Sequence, residues 1–176
     1  GADLHYVLDV DFLTAARGGS ADVALTGGAP IRLTIPRGAA EGQVLRLKGK
    51  GMPGTGKAPA GDAMVTLRVA DHPHFRRDGH DILLTLPITV DEAALGARIE
   101  VPTIDGPVAM TLRPGASSGQ TLRLRGRGIE PPAGPRGDQR VELKVVMPKE
   151  IDPQMTRFFE EWRQTHAYDP RKGMSQ

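Results

Sequence analysis

The sequence predicts an all-β chain, two tandem copies of one module followed by a C-terminal amphipathic helix. Three observations predict it. The first is an internal repeat, because GQVLRLKGKG (Gly42 to Gly51) returns seventy-seven positions later as GQTLRLRGRG (Gly119 to Gly128). The copy extends upstream, where IRLTIPRGAAEGQ from Ile31 answers to VAMTLRPGASSGQ from Val108. Downstream, GDAMVTLRV from Gly61 answers to GDQRVELKV from Gly137, with one residue deleted between. The second is alternation inside the repeat. Leu45 and Leu47 alternate with Arg46 and Lys48, as Leu122 and Leu124 do with Arg123 and Arg125. A period of two puts leucines on a core face and cations on a solvent face. The third is composition. With 22 glycines, 15 prolines and few aromatics in 176 residues, the chain suits short strands joined by many turns.

In order, Leu4 to Val10 reads as a strand with Leu4, Tyr6, Leu8 and Val10 on one face. Asp11 caps a short helical turn that Gly18 ends. Ala21 to Leu25 is a second strand, with Val23 and Leu25 pointing together, closed by the turn Gly27-Gly28-Ala29-Pro30. Ile31 to Ile35 is a third, Pro36 to Gly42 a loop, and Val44 to Lys48 the repeated strand. A long Gly/Pro-rich loop from Gly49 to Gly61 leads to Met64–Val69, which closes the first module. After the linker Asp71-His72-Pro73, Ile82 to Val90 is a strand, and Thr89 with Glu92 forms a capping box for a turn ending at Gly96. Glu100–Thr103 and Val108–Leu112 flank the Asp105-Gly106 hairpin turn, and Val141–Val146 closes the second module. Asp152-Pro153 then starts a helix of about three turns. Met155, Phe158, Phe159 and Trp162 fall at i, i+3, i+4 and i+7, opposite Arg157, Glu160, Glu161, Arg163 and Gln164. The expected division is residues 3–76, residues 77–151, the helix 152–167 and an irregular tail 168–176.

Several chemistries are excluded. Without cysteine there is no disulfide framework, thiolate nucleophile or cysteine-ligated zinc. No apolar run is long enough to span a bilayer and no signal peptide opens the chain, so a cytoplasmic protein with no membrane partner is expected. The stretch from Gly51 to Lys57 nearly spells a phosphate-binding loop, but Ala58 removes the magnesium-binding hydroxyl and Pro59 and Gly61 argue against the helix it needs. His72, His74 and His80 match no zinc spacing and read as a structural linker, so neither metal nor cofactor is expected. Ser20, Ser117, Ser118 and Ser175 are the serines, and none stands in a nucleophile elbow. Asp62 and Asp138 recur at equivalent positions and read as turn chemistry, so no enzyme is expected. The cations Arg32, Arg46, Lys48, Lys50, Arg123, Arg125 and Arg127 read as solvated strand faces, with weak, non-specific DNA contact as the secondary reading.

The stretch HPHFRRDGHDILLTLPITVDEAALGARIEVPTIDG, His72 to Gly106, closely resembles the C-terminal region of DnaJ-type J-domain co-chaperones. Their pattern there is His…Phe-x-Arg-Asp-Gly-x-Asp-Leu, then Glu-Ala-x-x-Gly, then Val-Pro-Thr-x-Asp-Gly. The doubled Gly-Gln…Leu-Arg-Leu-x-Gly-x-Gly belongs to the same family, and the resemblance covers about Asp3 to Trp162. It implies two β-sandwich-like modules and a dimerisation helix carrying Met155, Phe158, Phe159 and Trp162. Where many members insert a cysteine-rich zinc module, this chain turns through Gly27-Gly28, which makes it similar to the zinc-free, curved-DNA-binding-protein-like members. The His-Pro-Asp motif of the J domain is missing as well, so this stretch is not expected to stimulate the partner DnaK-type ATPase by itself. The resemblance further implies an apolar groove for non-native client polypeptides on the first module, lined by Tyr6, Leu8, Val23, Leu25 and Phe75. An extended client can add to the edge of the second strand through its backbone, with apolar pockets for alternate side chains. The competing reading makes these residues core, Leu8 and Val23 above all. The resulting expectation is a homodimer that holds unfolded polypeptides for a DnaK-type chaperone.

Overall fold

The computed structural model describes residues 1–28 and 30–174 and is predominantly β-strand, with three helices among those residues. Ala29 of the expected turn, and Ser175 and Gln176 of the expected tail, lie outside the described residues. By its contacts the chain divides into two bodies, Gly1–Val145 and Val146–Gln176.

The first body begins with β1 (Leu4–Val10), α1 (Phe12–Arg17), β2 (Gly19–Val23), β3 (Ile31–Ile35), β4 (Val44–Leu47) and β5 (Ala63–Val69). After β6 (Phe75–Asp78) the order recurs as β7 (Asp81–Thr89), α2 (Val90–Leu95), β8 (Ala97–Val101), β9 (Val108–Leu112), β10 (Thr121–Leu124) and β11 (Gln139–Val146). β1 runs parallel to β5, with Tyr6 opposite Val65 and Leu8 opposite Leu67, while β4 pairs antiparallel on the far side of β5. β2 and β3 form a separate antiparallel pair, as do β8 and β9. The second large sheet runs β10-β11-β7-β6, which reproduces the first with β6 added outside β7.

The repeat extends to single hydrogen bonds. Asp62 Oδ1 accepts from the Gly49 N–H at 2.8 Å, and Asp138 Oδ1 accepts from Gly126 N–H at 2.8 Å. Those two glycines sit at φ +75° and +68°, a conformation that side chains with a Cβ resist, and a Cβ on the second glycine of each Gly-x-Gly, Gly51 or Gly128, would stand 2.6 or 2.5 Å from a backbone carbonyl oxygen. The backbone N–H of each aspartate in turn donates to a carboxylate at the head of its half, Asp3 at 2.7 Å and Asp81 at 2.8 Å. The expectation of turn chemistry at Asp62 and Asp138 describes this clasp.

Two apolar clusters fill the body. One gathers Val10, Ala15, Val23, Leu33, Ile35, Ala39, Val65 and Leu67, with Tyr6, Leu8, Leu25, Leu45 and Leu47 half-buried against it. The other takes Ile82, Leu84, Leu86, Ile88, Val101, Ile129 and Leu143, and reaches across to Phe12 and Ala16 of α1. The two halves touch closely there. A Cβ added to Gly38 would stand 2.9 Å from the Ile129 side chain, and Arg37 is ion-paired with Glu130.

Several strand boundaries differ from expectation, most by a residue or two. β2 spans Gly19–Val23, so Leu25 falls beyond its end. Val23 is paired with Ile31, the first residue of β3, and Pro30 before it has no N–H to continue the ladder. β8 spans Ala97–Val101, because Thr103 is used to close the turn, exchanging backbone hydrogen bonds with Gly106. Val90 leaves β7 to become the first helical residue behind the Thr89 cap, whose box with Glu92 is complete. β6 was expected as linker and is a strand, joined to β7 by a two-residue turn, with Asp78 opposite Asp81.

Three carboxylates make the body sensitive to acid. The Thr14 hydroxyl, and then the Thr14 amide, hold Asp11 below its ordinary value of 3.8. The Arg68 guanidinium does the same for Asp9, and the Gly126 amide, then Arg123, for Asp138. A carboxylate depressed on folding contributes stability above its unfolded value and loses it as pH falls through the folded one. The unfolding midpoint is therefore expected to be flat from neutral pH to about 5, and to fall once pH drops below about 4. Thermal melts across that range check it, and Asp138→Asn should flatten the acid limb.

Candidate functional site

Alternation along β1 places Tyr6 and Leu8 on the inner face, half-buried, with His5, Val7 and Asp9 outside. From β1 the Tyr6 hydroxyl accepts the Thr26 N–H at 3.2 Å, tying it to the segment after β2. Val23 is buried at 5% exposure at the end of β2, and Leu25 lies half-buried just past it. These four side chains thus share one cluster. Phe75 is placed in the other cluster, 5% exposed, with its ring 4.7 Å from His72 and 6.3 Å from Phe12.

The backbone around the four is open. β1 is an outer strand that pairs only with β5, and β2 pairs only with β3. In the second half the residues equivalent to Tyr6, Leu8 and Val23 are Leu84, Leu86 and Val101, at 4%, 9% and 0% exposure. There β6 covers the edge of β7. Of the remaining outer strands of the two larger sheets, β4 and β10 are four residues long and carry Arg46 and Arg123, features that blunt an edge, and β6 is equally short and carries Arg76 and Arg77. Among the described residues, the pairing of free backbone with half-buried apolar side chains is thus clearest at β1, while β2 and its counterpart β8 each pair with one strand. The role of β6 was missed in the sequence, although Asp78-Gly79 is a hairpin signal.

The basic faces are partly neutralised. Arg46 pairs with Asp62 at 3.5 Å, Arg123 with Asp138 at 2.8 Å and Arg32 with Asp22 at 3.7 Å. Such exposed pairs are weak, but they lower the field that a polyanion would meet. His72 Nδ1 accepts the N–H groups of His74 and Phe75 at 3.0 and 3.1 Å, a local turn role. Among the described residues, no group of three or more His, Asp or Glu is placed to hold a metal ion. No helix among them is long and apolar enough to cross a membrane.

The second body holds α3 (Pro153–His166), 14 residues and so about four turns. Asp152 caps it by accepting the Met155 N–H at 2.8 Å. Met155 and Phe159 are half-buried, Phe158 and Trp162 are exposed, and no residue of the helix is buried.

Free strand edges beside half-buried apolar side chains place unpaired backbone groups next to apolar surface. The family follows from comparison with known proteins. A family described as the DnaJ C terminal domain matches residues 4–148, and the chain belongs to it. It is similar to a protein named Curved DNA-binding protein from Coxiella burnetii (strain Dugway 5J108-111), 44% identical over 142 residues, covering 81% of this chain and 45% of that one. A protein of the same name from Pseudomonas putida (strain KT2440) is 42% identical over 141 residues, covering 80% of this chain and 44% of that one. One from Pseudomonas syringae pv. tomato (strain DC3000) is 40% identical over 141 residues, with 80% and 45% covered. The chain spans less than half the length of these curated relatives.

Proposed function

We propose that this chain holds non-native polypeptides for transfer to a DnaK-type ATPase in the cytoplasm. Residues 3–76 form the client-binding module, 77–151 a supporting one, and 152–167 the dimerisation helix. The observation that carries the reading is the asymmetry between the halves. Tyr6 and Leu8 are half-buried on β1, whose outer edge is free, with Leu25 in the same cluster, whereas the equivalent strand β7 is covered by β6. A client strand adding at β1 or β2 would hydrogen-bond through backbone groups, which is blind to sequence, while these side chains receive its apolar residues. Phase separation of roles follows: one half recognises, the other braces it through Phe12, Ala16 and the Arg37–Glu130 pair.

The test is suppression of aggregation of a chemically denatured reporter enzyme, followed by light scattering without ATP. Suppression at near-stoichiometric chain is expected, and none at a large excess would end the reading. The printed name of the relatives supports a second reading, DNA contact. It would run through Lys48, Lys50, Arg125 and Arg127, for which the described residues show no ion pair. Binding to duplex DNA that falls steeply with salt and follows those four residues, with no aggregation suppression, would put DNA first.

A further inference from the structure

A cleft of about 490 Å³ opens within the first body, where α1, the end of β5 and β6 meet. Phe12, Phe75 and Ile129 line it, and Ala16, Ala39 and Ala70 leave the space open. Arg77 of β6 reaches in with an unusual set of partners. Its Nε donates to the Gly79 carbonyl at 2.8 Å and its Nη1 to the Ala39 carbonyl at 2.9 Å. Arg37 pairs with Glu130, Arg136 with Asp105 and Arg140 with Asp78, while the adjacent Arg76 is exposed to solvent and Arg77 is half-buried. No ion pair joins Arg77 to a carboxylate among the described residues. On the same cleft, Glu41 already accepts the Val69 N–H at 2.7 Å, and Asp71 is exposed. Burial pushes the Arg77 guanidinium down from its ordinary value, with no opposing charge to restore it. A half-buried cation bonded only to carbonyls gains most from an incoming carboxylate, with which it forms short, charge-assisted hydrogen bonds.

We propose that this cleft is a second polypeptide site, which takes one apolar side chain of an extended segment beside Phe12 and Phe75 and a neighbouring carboxylate onto Arg77. A peptide is favoured over a small acid because Phe75, Arg76 and Arg77 all line the cleft from β6, the outermost strand of its sheet. Beyond the Phe75 N–H, which His72 takes, the outer edge of β6 offers backbone partners to an extended chain. The inference rests on the client-binding reading and narrows it to segments in which an acidic residue adjoins an apolar one.

The experiment uses the intact chain and two labelled peptides, identical except that Glu or Gln follows a central Phe, with affinity read by fluorescence anisotropy. The acidic peptide is expected to bind about tenfold tighter at low salt. Arg77→Gln should bring the ratio to about one, and Ala70→Phe, an exposed position on the cleft, should fill the space and do the same. Melting curves confirm that each variant is folded, and Ala70→Phe decides the matter should Arg77→Gln not fold. Leu25→Asp, which lies outside the cleft, should remove groove binding from both peptides and leave the preference for the acidic one in place. Equal affinities for the native chain, or a ratio that survives both cleft variants, overturns the second site. In that case peptide binding that still depends on Leu25 keeps the proposed function standing, whereas no binding of either peptide removes both.

Discussion

Leu25→Asp is expected to weaken binding of an extended apolar peptide at least tenfold, with the unfolding midpoint nearly unchanged. Leu25 is half-buried beyond the end of β2, so the aspartate remains hydrated in the free chain and the fold loses little. When a peptide docks, that carboxylate must be desolvated against an apolar partner, at a cost of about 1–3 kcal/mol, and 1.4 kcal/mol is already tenfold. Isothermal titration with an uncharged peptide rich in Leu and Val measures it. Leu95→Asp is the control, because Leu95 at 75% exposure ends α2 in the other half and should bind as the native chain does. Val23 and Phe75 are poorer probes. Each is only 5% exposed, and Phe75→Ala would leave a cavity costing about 3–5 kcal/mol, so lost binding would not be separable from lost fold. Native-like affinity in Leu25→Asp would move the client site away from β1 and β2.

Sequence reading fared best where a local signal sufficed. Period-two alternation located β1, β3, β4 and β9, and the Asp11 and Thr89 caps located both short helices, because each such signal lies within a few residues. Pairing partners were not legible. That β1 lies parallel to β5, 59 residues away at Leu4–Ala63, depends on packing between distant segments, which no local pattern encodes. β6 was missed because HFRRD alternates one apolar ring with charges and looks like linker, yet Phe75 is held by Phe12 from far along the chain as well as by the nearby His72. The same miss hid the asymmetry between the halves, since β6 is the strand that distinguishes their sheets. Arg77 could not be singled out either. Among so many arginines, only the fold shows which one is half-buried with carbonyls rather than a carboxylate as its partners.

The intact chain is expected to be a dimer in solution, and Phe159→Asp or truncation after Ile151 should make it a folded monomer. The helix α3 is well started, with Asp152 capping and Pro153 in the first turn, so it forms reliably and presents a fixed stripe. That stripe is poorly covered. Phe158 stands 57% and Trp162 36% exposed, with Phe158 and Phe159 in an edge-to-face pair at 5.1 Å and Trp162 stacked on His166 at 5.3 Å. Aromatic side chains grouped on one helical face and left to water are the usual mark of an interaction surface. A second copy supplies an identical stripe, so a two-fold pairing is self-complementary without further design. The dimer also changes the binding arithmetic. A long unfolded client engaged by one groove meets the second as an intramolecular partner, so monomeric variants should bind it roughly 10²-fold more weakly. A short peptide that fills one groove should not distinguish dimer from monomer. Light scattering gives the mass, and paired titrations with a short and a long client give the avidity. An intact chain that is monomeric at tens of micromolar (about the range of weak assembly) would remove the helix from the assembly, and with it any difference between the two clients that exceeds their number of sites.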